Sequence, residues 1–146
     1  MKKAQVAHVV KSELENMGLY SDEAQHLLMM IIAHESCGGY YLKQVQGPAL
    51  GITQMEPATH EDVCQFLKKE RAEVYQYIVD THGKPSPEKL MTNLAYSIAL
   101  SRAFFLRFEE KLPEPKDAAE YAKWRWNTPK GKATPSDYSD AYNKWS

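Results

Sequence analysis

Residues 27–55 read LLMMIIAHESCGGYYLKQVQGPALGITQM, and the fold turns on how the two halves of this stretch meet. Leu27 to Ala33 is apolar without a gap, which in a helix makes every face hydrophobic and requires burial all round. The run is far too short to cross a bilayer, so a protein core has to surround it. It ends on Glu35, and Gly38-Gly39 offer the exit that helix C-termini favour. From 38 to 56 no helical period survives, and Gly38, Gly39, Gly47, Pro48 and Gly51 punctuate a long loop or small β-hairpin. An irregular segment of that length in a compact domain points to function or to a misassigned element.

Outward from this stretch the pattern is helical. Residues 4–17 set Val6, Val9, Val10, Leu14 and Met17 at helical spacing, with Gly18 as the stop. Ser21 is an N-cap for the second helix, with Asp22 and Glu23 where the dipole favours anions. Pro57 suits the first turn of a third helix over 57–69, and a fourth is expected over 70–80. THGKPSP (81–87) breaks the pattern, and one long helix is expected over 87–110, carrying Leu90, Leu94, Ile98 and Phe104. LPEP (112–115) ends it. A helix over 116–126, a Pro/Gly loop over 127–136 and a short helix over 137–145 complete a mainly α, single domain over residues 1–146.

A chain of 146 residues with 43% hydrophobic content buries a continuous core without staples. The net charge of −1 gives no field to attract nucleic acid, so no nucleic-acid partner is expected. Two cysteines, Cys37 and Cys64, fit either reduced thiols or a single bridge. The N-terminal stretch is interrupted by His8, Lys11, Ser12 and Glu13 and reads as an amphipathic helix rather than a signal peptide. No membrane insertion is expected, and a monomer is.

Glu35 is the residue with chemistry to explain. At the end of a deeply apolar helix its carboxyl loses hydration, which raises its pKa towards what a general acid needs near neutral pH. The other reading leaves its head in solvent with no role, and both stand at this point. Gly51-Ile52-Thr53-Gln54 adds a turn that a ligand approaches closely, Gln54 supplies a donor and an acceptor, and Tyr40 and Tyr41 offer flat faces for sugars.

HES (34–36), PALGITQM (48–55) and the spacing between them resemble the lysozyme-like fold of soluble lytic transglycosylases and goose-type lysozymes. Those proteins carry a catalytic Glu in a Glu-Ser pair, followed by a Gly-Leu-Met-Gln turn. KWRWNTPKG (123–131) is similar to the family's Ala-x-Tyr-Asn motif, with Trp126 in place of the Tyr and Asn127 kept. The resemblance covers roughly residues 20–132, and because many single-domain versions without a signal peptide belong to bacteriophages, a virion enzyme or an endolysin is expected. It implies cleavage of the β-1,4 bond between N-acetylmuramic acid and N-acetylglucosamine in peptidoglycan, with no metal and no cofactor. Glu35 would be the general acid. Ser36, Tyr40, Gly51, Ile52, Gln54, Tyr96, Trp126 and Asn127 would hold the glycan. It also implies action on the wall after release from the cell, or from within a phage particle.

The reaction has two possible outcomes. A lytic transglycosylase needs one acid, because the substrate's acetamido group assists and a 1,6-anhydro product forms without water. An inverting hydrolase needs a second carboxylate set back by about 6.5–9.5 Å. Glu56 is the candidate base, since goose-type lysozymes carry an Asp at that position and a His near His60. It also stands where a helix start favours an acid for structural reasons alone.

Two rival readings belong beside this one. His34-x2-Cys37 and His60-x3-Cys64 have spacings that suit zinc, though loose patterns of this kind arise often by chance. A lysozyme-like domain that grips peptidoglycan without cutting is the other. Phe104, Phe105 and Phe108 at helical spacing read as core, and Trp124 and Trp126 fall on different helix faces.

Overall fold

The computed structural model describes all 146 residues. Its helices are α1 (Lys3–Met17), α2 (Asp22–Glu35), α3 (Pro57–Glu70), α4 (Ala72–His82), α5 (Lys89–Thr92), α6 (Leu94–Phe104), α7 (Ala118–Tyr121) and α8 (Pro135–Lys144). No sheet forms; the only extended pairings are two isolated antiparallel bridges, Lys43 with Leu50 and Leu50 with Met55.

The apolar run becomes the axis of the molecule. Every residue from Leu27 to Ala33 is buried, and α2 packs against α1, α6, α7 and α8. Ser21 caps its start, accepting from the Ala24 N–H at 3.0 Å. Its end is tightened at a single acceptor, the Ile32 carbonyl, which receives the N–H of Ser36, the N–H of Gly38 and the Ser36 hydroxyl. The second central helix is α6, buried from Tyr96 to Ser101 and again at Ala103 and Phe104.

The expected long helix over 87–110 is not continuous. Asn93 lies in extended backbone (φ −132°, ψ 104°), and its side-chain oxygen accepts from the Tyr96 N–H at 2.9 Å. It therefore ends α5 and caps α6, because a short amide oxygen serves an orphan helix donor well. The helix also stops earlier than expected, passing at Phe105–Arg107 into a 3-10 turn. The helix expected over 116–126 is a composite of a 3-10 turn (Pro115–Asp117), one turn of α7 and a π-helical turn over Ala122–Asn127.

The stretch after α2 folds back on the core through its turn residues. Gly51 (φ +84°) lies so close to α5 and α6 that a Cβ there would meet the Leu90 carbonyl oxygen at 2.2 Å. Thr53 is fully buried, its hydroxyl 2.7 Å from that of Ser101. Ile52 and Met55 are buried as well. Core contacts from Gly51, Ile52, Thr53 and Met55 thus fix the turn from below and leave Gln54, half-buried, on the outside.

Asn93→Ala removes a cap at the junction that orients α6. It is expected to lower stability by about 1 kcal/mol, which thermal melting reads as a drop of roughly 3 °C for a chain of this size. No measurable drop would mean that the break at Asn93 stabilises nothing.

Candidate active site

A cleft of about 300 Å³ opens at the C-terminal end of α2. Four segments contribute its walls: Glu35 from the helix end, Gln44, Ala49 and Gln54 from the loop, Glu56 from the start of α3, and Trp126 and Asn127 from the π turn. Residues far apart in the chain meet here because α2 runs through the middle of the bundle and emerges where the loop and the π turn both fold back.

Glu35 is half-buried, and its Oε2 accepts a 2.5 Å hydrogen bond from the Tyr138 hydroxyl. Burial pushes its pKa up, and the Tyr138 hydrogen bond and the nearby His34 only partly oppose this. Tyr138 comes from α8, is wholly buried, and packs its ring at 4.6 Å from that of His34. Burial and the neighbouring Glu35 charge hold its hydroxyl well above the usual tyrosine range, so it stays protonated and donates. α8 is set by a capping box, in which Thr134 accepts from the Asp137 N–H and Asp137 accepts from the Thr134 N–H.

Asn127 is held from two sides. Its Oδ1 accepts from Lys123 Nζ at 2.8 Å, and the same ammonium donates to the Gly131 carbonyl at 2.7 Å. The loop passes so close that a Cβ on Gly131 would stand 2.2 Å from Asn127 Oδ1. Trp126 packs at 4.7 Å from Phe104 and 5.9 Å from Phe105, so its indole is both core and cleft wall. A π turn re-aims side chains relative to an α-helix and recurs at functional sites. Here it brings Trp126 and Asn127 to one wall and leaves Trp124 exposed under the Arg125 guanidinium.

Glu56 precedes the first turn of α3, but its carboxylate makes no capping hydrogen bond. It is exposed and faces the cleft that Glu35 faces.

Several expected ligand contacts lie elsewhere. Ser36 is wholly buried, donating to the Ile32 carbonyl and accepting from the Gly39 N–H, so it builds the helix exit. Tyr40 stands outside the cleft lining on the exposed loop, 77% accessible and edge-on to Tyr41. Ile52 turns into the core, and Gly51 serves the turn through its backbone. Tyr96 is core too: its hydroxyl is 2.6 Å from His60 Nε2 and accepts from the Ser86 N–H. His60 is therefore buried against Tyr96 and does not line the cleft.

The zinc spacings do not converge. No group of three or more His, Cys, Asp or Glu side chains comes together. Cys64 is buried, with a thiol pushed up to about 11 by burial, and Cys37 is exposed and unpaired. Tyr138 and Gln44 are the site residues that sequence reasoning missed. The Thr-x-x-Asp cap before Tyr138 marks a helix start, but nothing local to it points to Glu35.

Comparisons with known protein families, with curated proteins and with solved structures find no significant match to this chain.

The raised pKa of Glu35 ties stability to pH with a definite sign. The folded state binds a proton that the unfolded chain gives up at ordinary carboxylate values, so stability falls as pH rises through the folded value. Glu35→Gln removes that loss. Relative to the unsubstituted chain, the variant should melt higher at pH 8, with the gain shrinking towards pH 4; a gain independent of pH would exclude the linkage.

Proposed function

We propose that this chain is a peptidoglycan-cleaving glycosidase of the lysozyme-like kind. It acts on the β-1,4 bond between N-acetylmuramic acid and N-acetylglucosamine with Glu35 as general acid. One observation carries the reading. A carboxyl group with a raised pKa, at the end of a buried helix, faces a polar cleft lined by Gln44, Gln54, Glu56 and Asn127.

In this mechanism Glu35, protonated, passes its proton to the glycosidic oxygen as the bond from that oxygen to C1 of the muramic acid breaks. The leaving sugar departs with a new hydroxyl and positive charge develops at C1. Tyr138 steadies the carboxylate that results, because its hydroxyl already donates to that group. Gln54 and Asn127 supply polar contacts to the glycan, and Trp126 an apolar wall.

The position of Glu56 favours hydrolysis over transglycosylation. It faces the same cleft and is not consumed by capping α3. An attacking water would give its proton to Glu56 and its oxygen to C1, with inversion. The proposed partner is therefore the glycan strand of the bacterial wall, reached after release from the cell or from a phage particle.

Clearing of a purified wall suspension tests the acid. Glu35→Gln should slow it by roughly 10²–10⁴-fold, while retaining the melting behaviour described above. Equal clearing by variant and unsubstituted chain would remove Glu35 from the role of acid, and clearing by neither would leave a domain that binds without cutting. Mass spectrometry of the released fragments tests the base. Products carrying added water, lost in Glu56→Gln, support hydrolysis; 1,6-anhydro products unaffected by Glu56→Gln would make the chain a lytic transglycosylase.

A further inference from the structure

Of the three primary amides that line the cleft, Gln44 and Gln54 have their inner ends engaged in opposite senses. Gln44 Oε1 accepts from the Ala49 N–H at 3.2 Å. Gln54 Nε2 donates to the Gly51 carbonyl at 2.9 Å. A backbone N–H pairs only with an acceptor and a backbone carbonyl only with a donor, so these partners decide which way round each amide lies. The groups left to a ligand are the NH2 of Gln44 and the carbonyl oxygen of Gln54, and both side chains line the cleft with Glu35.

Both amides are also held still. Gln44 pairs its backbone N–H with the Ala49 carbonyl at 2.9 Å, and its side chain folds against Gly47. A Cβ on Gly47 would stand 2.2 Å from Gln44 Oε1. Gln54 has left-handed backbone (φ +56°), and its backbone N–H and side-chain Nε2 converge on the same Gly51 carbonyl. Such strain and double anchoring fix a side chain before a ligand arrives.

We propose that Gln44 and Gln54 act together as a selector for the acetamido group of an N-acetylated amino sugar. That group presents one carbonyl acceptor and one N–H donor on a short planar arm, the complement of a free NH2 and a free carbonyl. A de-N-acetylated sugar presents an ammonium, which offers donors only and meets the Gln44 NH2 donor to donor. Unpaired polar groups on both sides make that mismatch expensive, which is how sites built on hydrogen bonds discriminate. The assignment rests on the glycan reading of the cleft and names the chemical feature of the glycan that the cleft selects.

Gln44→Glu tests the pair. It keeps the side chain's size and an acceptor for the Ala49 N–H, and exchanges the free NH2 for a carboxylate oxygen. Binding of a β-1,4 tetramer of N-acetylglucosamine and of its fully de-N-acetylated counterpart is measured by calorimetry on the full chain. Glu35→Gln is present throughout to prevent turnover. The chain with Gln44 intact should bind the acetylated tetramer at least about tenfold more tightly. Gln44→Glu should erase or invert that preference, and Gly47→Ala, which displaces the Gln44 amide, should narrow it in the same direction.

An unchanged preference in Gln44→Glu, or an equal loss for both tetramers, would overturn the pair's role. The glycan reading would survive that result if Glu35-dependent wall clearing persists. Binding of neither tetramer, together with no wall clearing, would remove the glycan reading itself and the selector with it.

Discussion

The hydrogen bond from the Tyr138 hydroxyl to Glu35 joins residues 103 positions apart and reconciles two opposing demands. A helix buried on every side must end somewhere, and this one ends in a carboxyl group. Without that donor, only the nearby His34 would oppose desolvation. With Tyr138 beside it, the group keeps a raised pKa and still has a partner when ionised. The rest of the site is arranged around that balance: the loop must turn sharply to clear the cleft, and the last helix must be capped and docked to bring in the hydroxyl.

The parts of this arrangement that depend on near neighbours were legible in the sequence. The buried helix, its Ser21 cap, the glycine exit and the turn at Gly51–Gln54 all follow from period and turn chemistry. Asn93 could have been read as a cap, but strong apolar periodicity on both sides of it argued for one unbroken helix. Tyr96 and Ser36 were placed in the site by position alone. Local pattern cannot say which way a side chain turns, and the core had stronger claims on both. Tyr138 and Gln44 were missed for the opposite reason. Their roles come from partners that the sequence does not bring near them: a carboxyl group on another helix in one case, and an N–H across a folded loop in the other.

The composite helix before the last loop carries a related lesson. Its composition suits an α-helix, yet it winds through 3-10, α and π turns in succession. Tertiary packing of Trp126 on Phe104 and Phe105 outweighs the modest preference for regular winding. The indole is thereby both a structural wedge and a wall of the cleft.

The chain ends add a mechanical consequence. The Met1 ammonium donates to the Gly38 carbonyl, Trp145 donates to the Met1 carbonyl, and Lys3 reaches the Tyr142 carbonyl. This clasp lies behind the exit of α2 and secures α8, a short helix with only Tyr138 fully buried. Such peripheral elements open locally at lower free energy than the core around them. The durability of the Glu35 environment therefore depends on the clasp and on the packing of α8 against α2, as well as on the buried helix. Whatever loosens α8 deprives the carboxyl of its hydroxyl partner, however firmly the rest of the bundle stands.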